Sequence, residues 1–186
     1  MNIPIDKLND YTFEKHKHRF AVWCGATAGS RSKLCRFSVS KGKKILEHAG
    51  ICPQGELDKL SHMSSTDFDK WHKEICNKMI VKAKYIGVNE FTYGVSAKVL
   101  NCYLKAYFNN PDQILNHLHP PIDRILLKKL ADSNIGSFQL EWKKFMSIGW
   151  SKFDENDYSE CIDLIKKCLL PNFALWKIEY FWPGHQ

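Results

Sequence analysis

Apolar residues recur every three to four positions over most of this 186-residue chain, which is the spacing of an amphipathic helix. The clearest run has Phe68, Trp71, Ile75, Met79 and Ala83 on one stripe, with Ser65-Thr66-Asp67 before it and Gly87 after it. A small polar residue before such a run and a glycine after it are typical helix boundaries. No segment shows the alternating pattern of a strand, so the sequence predicts an all-α protein.

The same period predicts a series of helices along the chain. The main ones cover Phe13–Cys24, Ser38–Ala49, Phe68–Ile86, Val95–Phe108, Asp123–Ala131, Ser137–Met146 and Asp154–Leu169. A short helix is expected at Asp58–His62, and the aromatic tail Ala174–Trp182 is expected to fold back as another. Pro120-Pro121 separates two of the helices, because proline lacks a backbone donor and restricts the residue before it.

We find no internal repeat, low-complexity segment or flexible linker, so we expect a single domain over residues 1–186. If two lobes form, their segments intertwine, and the N- and C-terminal segments share one lobe. The seven cysteines include no Cys-x-x-Cys pair, which argues against a disulfide framework or a structural metal site. No apolar stretch is long enough to span a bilayer and the start has no signal-peptide pattern, so we expect a soluble, cytoplasmic protein without a membrane partner.

The net charge of +7, from 27 basic and 20 acidic residues, favours a polyanionic partner. Nucleic acid is the first candidate, through phosphate neutralisation and counterion release. An anionic membrane surface is the rival interpretation. Charge alone does not choose between them.

Two short stretches contain candidate catalytic residues at successive helix starts. Gly94 opens a helix that carries Lys98 in its first turns, and Asp123 opens the next long helix directly after Pro120-Pro121. Free N–H groups at a helix start bind anions, and an aspartate there is stabilised by capping bonds and the helix dipole. Taken singly, each stretch is also explained by an ordinary helix cap and a solvated lysine.

Together the two stretches resemble a known signature. Gly94-Val95-Ser96-Ala97-Lys98-Val99, with Cys102, followed by Pro121-Ile122-Asp123, is similar to the helix-hairpin-helix DNA glycosylase superfamily, and within it to the 8-oxoguanine DNA glycosylase branch. The resemblance implies a two-lobed helical domain. The stretch Ala21–Ala49 is similar to the superfamily's early helix pair, in which a small polar loop approaches DNA, and the small residues Ala26–Ser30 could allow close backbone approach. The whole chain also resembles short bacterial proteins of glycosylase fold, some of which are associated with anti-phage (antiviral) defence.

The resemblance assigns a role to each candidate residue. Lys98 would be the amine nucleophile that forms a Schiff base with the sugar, and Asp123 would orient it and stabilise positive charge on the sugar. The partner would be duplex DNA with one base flipped out against aromatic faces, for which Trp23, Phe181 and Trp182 are candidates. Phosphate contacts would come from Gly94, Ser96, Arg31, Lys33 and Arg124. No metal is implied, except a monovalent cation at the hairpin.

The sequence departs from the family pattern at two places. The hairpin Phe91–Ser96 lacks the family's leading proline and second glycine, and Asp123 follows Lys98 by 25 residues, several more than usual, which fits an insertion around Asn110–His117. By spacing alone Lys105 is an alternative nucleophile, although the motif surrounds Lys98. Trp142 and Trp150 are expected to pack in the core, with a pocket role left open.

Three functional hypotheses follow. The first is a base excision repair enzyme, a DNA glycosylase with β-elimination lyase activity on an oxidised or modified purine. The second keeps the fold without catalysis, as a module that binds a modified base, nucleotide or nucleic acid, for example in bacterial defence. The third is an all-α interaction protein whose basic charge is incidental.

Overall fold

The structure, a computed structural model, describes residues 9–53, 57–108, 116–170 and 173–184. Within these residues it contains α-helices and short 3-10 segments and no strand, which confirms the all-α prediction. The helices are α1 (Phe13–Gly29), α2 (Val39–His48), α3 (Ser65–Tyr85), α4 (Tyr93–Tyr107), α5 (Arg124–Asp132), α6 (Gln139–Ile148) and α7 (Glu155–Cys168). The 3-10 segments are Leu57–His62, Ile135–Ser137, Trp150–Lys152 and Leu175–Phe181.

Side-chain caps set most helix starts where the sequence indicated them. Asp154 accepts a hydrogen bond from the Asp157 backbone N–H at 2.8 Å, while the Asp157 carboxylate accepts one from the Asp154 N–H, so the two residues form a capping box. Helix α3 starts at Ser65, three residues before the expected start at Phe68, with Ser64 as its cap. After α3, Gly87 adopts a φ of 68°, a left-handed conformation that glycine accepts without strain.

Helices α1 and α4 pack against each other so closely that two glycines of α1 are required. A Cβ atom on Gly25 would lie 2.5 Å from the Val99 backbone oxygen, and one on Gly29 would overlap the Val99 side chain. Such distances are far below van der Waals contact, so only glycine permits this approach. The α1–α4 packing therefore brings the α1 backbone against Val99, the residue that follows Lys98 on α4.

This packing corrects the expectation for the small-residue stretch Ala26–Ser30. The sequence predicted a helix ending at Cys24, followed by a small polar loop that approaches DNA. Helix α1 instead continues to Gly29, and its small residues bring it close to a neighbouring helix. The signal for close backbone approach was correct, but the partner of that approach is α4.

The remaining elements surround this helix pair. Helices α2 and α3 pack beside α1 and α4, α5 pairs with α6, and the 3-10 segment Trp150–Lys152 lies against α4. One connected apolar core receives side chains from every helix. The tail forms the 3-10 segment Leu175–Phe181 rather than an α-helix, and the Leu175 N–H donates to the Asn116 carbonyl at 2.9 Å. The tail is thereby placed against α5 and α7.

Within the described ranges, no helix has the length and apolar character needed to cross a lipid bilayer. The expected insertion at Asn110–His117 falls mostly outside the described residues, which resume at Asn116.

We expect Gly25→Ala to lower the free energy of unfolding by more than about 2 kcal/mol, because the added methyl group must displace the α4 backbone. Chemical denaturation monitored by circular dichroism measures this change. The control is Phe20→Ala on the same helix, which removes an exposed ring and should change stability by less than about 0.5 kcal/mol. Equal effects of the two substitutions would contradict the close α1–α4 packing.

Candidate functional site

Lys98 and Asp123 form an ion pair between two helices. Lys98 lies in the second turn of α4 and is 8% exposed, and its Nζ atom lies 3.0 Å from Asp123 Oδ2. Asp123 is the N-cap of α5, where its Oδ1 accepts a hydrogen bond from the Leu126 N–H at 2.9 Å. The cap fixes one carboxylate oxygen and leaves the other for the lysine.

Two tryptophans complete the surroundings of the pair. The Trp182 indole N–H donates to Asp123 Oδ2 at 3.1 Å, so Lys98 and Trp182 share one oxygen. The Lys98 Nζ atom lies 5.6 Å from the ring centroid of Trp150, within the range of a cation–π contact. The ammonium group is therefore held between one carboxylate and an aromatic face.

A cavity of about 640 Å³ opens onto the ion pair. This volume lies within the range of pockets that bind small organic ligands, such as a nucleobase. Besides Lys98 and Asp123, its lining includes four of the residues that the sequence assigned to binding: Trp23, Arg31, Arg124 and Trp182. Arg31, Arg124 and Trp23 are exposed, so they lie at the mouth of the cavity.

Gly94 and Ser96 occupy a different environment from the one the sequence suggested. Both are buried within the first turns of α4, and their N–H groups donate to the carbonyls of Phe153 and Thr92, each at 3.0 Å. A Cβ atom on Gly94 would overlap the Trp150 carbonyl oxygen, so the glycine is explained by close packing. This geometry corrects the expectation of a phosphate contact at these two residues. The monovalent cation predicted there stays a prediction.

Lys33 and Phe181 do not line this cavity. Lys33 is exposed on the segment between α1 and α2. Phe181 lines a neighbouring cavity of about 720 Å³ on the other side of the C-terminal segment. The resemblance grouped Phe181 with Trp182 at a base pocket, but Phe181 lines the neighbouring cavity and Trp182 lines the first, whereas Glu179 lines both.

Three further residues of the cavity were missed or left open by the sequence. Trp150 was expected in the core, with a pocket role left open, and it faces Lys98. Lys105, the alternative nucleophile, also lines the cavity, where it forms an ion pair with Glu179. Glu179 carried no local signal, because only the folding of the tail onto α4 and α5 brings it to the site.

A buried polar network lies behind the ion pair and starts at Asn101, one turn along α4 from Lys98. The Asn101 Nδ2 group donates to the Pro120 carbonyl at 3.2 Å and to the Tyr158 hydroxyl at 2.9 Å. The Asn101 Oδ1 atom accepts from His72 Nε2 at 2.8 Å. Because Pro120 lies three residues before Asp123, Asn101 anchors the segment that delivers the carboxylate.

The network continues to the surface through His119. The Tyr158 hydroxyl donates to His119 Nδ1 at 3.1 Å, and His119 Nε2 donates to Asp69 at 2.9 Å. Burial lowers the pKa of His72 to about 3, and it also lowers the pKa of His119. Burial alone would raise the pKa of Asp69, but its hydrogen bonds with His119 and Lys166 lower it to about 2. Both buried histidines are therefore neutral donors near pH 7.

Among the described residues, no group of His, Cys, Asp and Glu side chains converges in a way that could hold a metal ion.

Cys102 lies one turn from Lys98 at the cavity wall, and burial raises the pKa of its thiol to about 11. It is a neutral thiol at pH 7.

We found no match to this chain among protein-family models, curated proteins or solved structures.

We expect Asp123→Asn to lower the free energy of unfolding by about 3 kcal/mol, because it leaves the Lys98 ammonium buried without its anion while keeping a capping side chain. Adding Lys98→Met should restore part of this loss. The matched control is the exposed pair Lys128–Asp132 on α5, where Asp132→Asn should cost less than about 1 kcal/mol. Denaturant titrations of the wild type and the three variants measure these losses, and similar losses at the two sites would contradict a buried pair.

We also expect stability to fall on acidification. The unfolded chain takes up a proton at His72 below its ordinary pKa of 6.5, whereas the folded chain does so only near 3. The free energy of unfolding should therefore decrease as the pH is lowered from 6.5 toward 3. The slope that His72 contributes should approach about 1.4 kcal/mol per pH unit. Asp69 stabilises the fold above pH 3.8, and its contribution is lost as the pH falls toward 2.

The check is urea denaturation at a series of pH values. His72→Gln should flatten the dependence between pH 6.5 and 4 without abolishing it, because His119 acts with the same sign. His48→Gln, at an exposed position, should leave it unchanged. A wild-type stability that stays constant over this range would show that the histidines are not neutral in the fold.

Proposed function

We propose that this protein is a DNA glycosylase with lyase activity, of the helix-hairpin-helix glycosylase fold, acting on an oxidised or otherwise modified purine. The observation that carries the proposal is the 3.0 Å contact between Lys98 Nζ and Asp123 Oδ2 at one wall of the 640 Å³ cavity. The lysine and the aspartate that the resemblance singled out come from successive helix starts and are in contact, which supports the proposal.

The chemistry uses the pair as nucleophile and electrostatic partner. Lys98 gives its ammonium proton to water, and the neutral amine attacks C1′ of the sugar while the bond from C1′ to the base breaks. The base leaves with the electron pair and takes a proton from water. The attached amine then loses a proton as the C1′–O4′ bond of the sugar ring breaks and O4′ takes up a proton, which leaves an iminium between Nζ and C1′ that acidifies the 2′ position. Loss of a 2′ proton then expels the 3′ phosphate, and water finally releases the lysine. The Asp123 carboxylate stabilises the positive charge that develops on the sugar.

The cavity supports the other requirements of such a reaction. The aromatic faces of Trp23, Trp150 and Trp182 offer stacking surfaces for an everted base, and a cavity of this size accommodates a purine. Arg31 and Arg124 lie at the mouth, where phosphates of the same strand would pass. The chain's net charge of +7 adds a general attraction for DNA.

A second candidate is a non-catalytic module that binds a modified base or nucleotide, for example as a sensor in bacterial defence. The observation that favours it is the first turn of α4, where the Gly94 and Ser96 N–H groups already donate to backbone carbonyls and are buried. This arrangement removes a phosphate contact that the family uses to hold DNA in register. The enzyme hypothesis is preferred because binding alone does not require the buried Lys98–Asp123 pair.

Borohydride trapping tests the proposal. The protein is mixed with labelled duplexes that contain 8-oxoguanine or an abasic site, and borohydride reduces any Schiff base to a stable adduct. We expect the wild-type protein to form the adduct and Lys98→Gln to form none, because the substituted side chain cannot attack C1′.

Lys105→Gln is the matched control, since Lys105 is the second lysine of the same cavity. It should still form the adduct. An adduct with Lys98→Gln but not with Lys105→Gln would transfer the role to Lys105. No adduct on either substrate, together with salt-sensitive DNA binding, would favour the non-catalytic module.

A further inference from the structure

Helix α1 exposes a row of four rings, of which the proposed function uses only Trp23. Phe13, His16, Phe20 and Trp23 follow one another at intervals of three, four and three residues, so they lie along one face of the helix. Phe13 is 71% exposed, and Phe20 and Trp23 are each 53% exposed. The row extends about 15 Å along the helix, at 1.5 Å per residue.

The rings are arranged in two near-parallel pairs. The Phe13 and His16 rings have centroids 6.2 Å apart and planes inclined by 17°, and the Phe20 and Trp23 rings have centroids 6.0 Å apart and planes inclined by 29°. Aromatic side chains are normally buried, and a helix that packs in a core turns such residues inward. Here the opposite face of α1, with Gly25 and Gly29, packs against α4, so the ring row is left on the surface.

Cations accompany the rings along the same helix. The Lys17 Nζ atom lies 5.5 Å from the Phe13 ring centroid, and the Arg19 guanidinium lies 4.6 Å from the ring of Tyr11, which precedes the helix. Helix α1 contains three basic residues, Lys15, Lys17 and Arg19, against the single acid Glu14, which pairs with Lys17 at 3.0 Å. The basic residues lie among the first three rings, and rings combined with positive charges complement a chain of bases and phosphates.

The row ends at the candidate site. Trp23 is both its last ring and a wall of the 640 Å³ cavity, and the wall continues with Thr27 in the last turn of α1 and Arg31 just after the helix. A strand that stacks its bases on Phe20 and Trp23 would therefore enter the cavity beside Lys98. The row and the cavity form one continuous surface.

We propose that this ring row on α1 is a binding track for single-stranded nucleic acid, which stacks unpaired bases on Phe13, Phe20 and Trp23 and leads the strand to the Lys98 cavity. Duplex DNA hides the faces of its bases in the stack, so only an unpaired strand can use these rings. The track sharpens the substrate of the proposed function, on which it partly rests, to a base in an unpaired strand. The combination of cations with the rings favours nucleic acid over an apolar protein partner.

The test is fluorescence anisotropy with labelled oligothymidylate and with a labelled hairpin duplex at several salt concentrations. The full chain carries Lys98→Gln, so no chemistry takes part. Phe13→Ala and Phe20→Ala, neither of which lines the cavity, should each weaken oligothymidylate binding about tenfold, because each removes a stacking surface. Their salt dependence should stay that of the parent, whereas Arg19→Gln should reduce the salt slope by about one.

The matched control is Tyr85→Ala on α3, since Tyr85 is 82% exposed and also has a lysine, Lys82, 4.9 Å from its ring. This variant should bind oligothymidylate within about twofold of the parent. Circular dichroism of all variants checks that their helices are intact.

Several outcomes would overturn the track. The first is that the protein does not bind oligothymidylate, and the second is that Tyr85→Ala and Phe20→Ala lose equal affinity for it. The third is that the duplex binds more tightly and that the ring substitutions do not change its affinity. The fourth is that the protein self-associates and that Phe20→Ala abolishes the association. Ring-dependent binding by a protein that forms no borohydride adduct would retain the track and refute the glycosylase. A borohydride adduct together with binding that the ring substitutions do not change would support the glycosylase and refute the track.

Discussion

The contact of Gly25 and Gly29 with Val99 is the constraint on which the site depends. It brings α1 and α4 to backbone contact, and since Val99 follows Lys98 in the chain, it fixes the direction in which the lysine leaves α4. The same approach makes the C-terminal turns of α1 a wall of the cavity, with Trp23 and Thr27 in the helix and Arg31 just after it. The apolar packing that stabilises the fold therefore also positions the candidate nucleophile against its pocket.

The carboxylate is held by a separate set of polar contacts. Asp123 is fixed from its own helix by the cap to Leu126, and from the tail by the Trp182 indole. The segment before it is anchored through Asn101 and the Pro120 carbonyl. A buried network in which each donor meets an acceptor is rigid, and a half-satisfied one is strongly unfavourable. Lys98 and Asp123 thus come from different helices, which the Asn101–Pro120 hydrogen bond and the ion pair hold together.

Local patterns predicted the parts of this arrangement that depend on nearby residues. The helical period gave α3 and α7 to within a few residues, the Asp154 capping box was visible in the sequence, and the family signature singled out Lys98 and Asp123. Gly94 was misjudged because a glycine in a first helical turn is equally explained by a bound ligand and by a closely packed neighbour. Its neighbour is the carbonyl of Trp150, which is distant in the sequence. Glu179 and the Asn101 network likewise depend on tertiary contacts that no local pattern encodes.

Peptide mapping of the reduced adduct tests the central claim most directly. The protein is trapped with borohydride on an abasic-site oligonucleotide, digested, and analysed by mass spectrometry to locate the added sugar. We predict that the added mass lies on Lys98, in the peptide that contains Val99 and Leu100. An added mass on Lys105 or on any other amine, or no modified peptide at all, would contradict the assignment of Lys98 as the nucleophile.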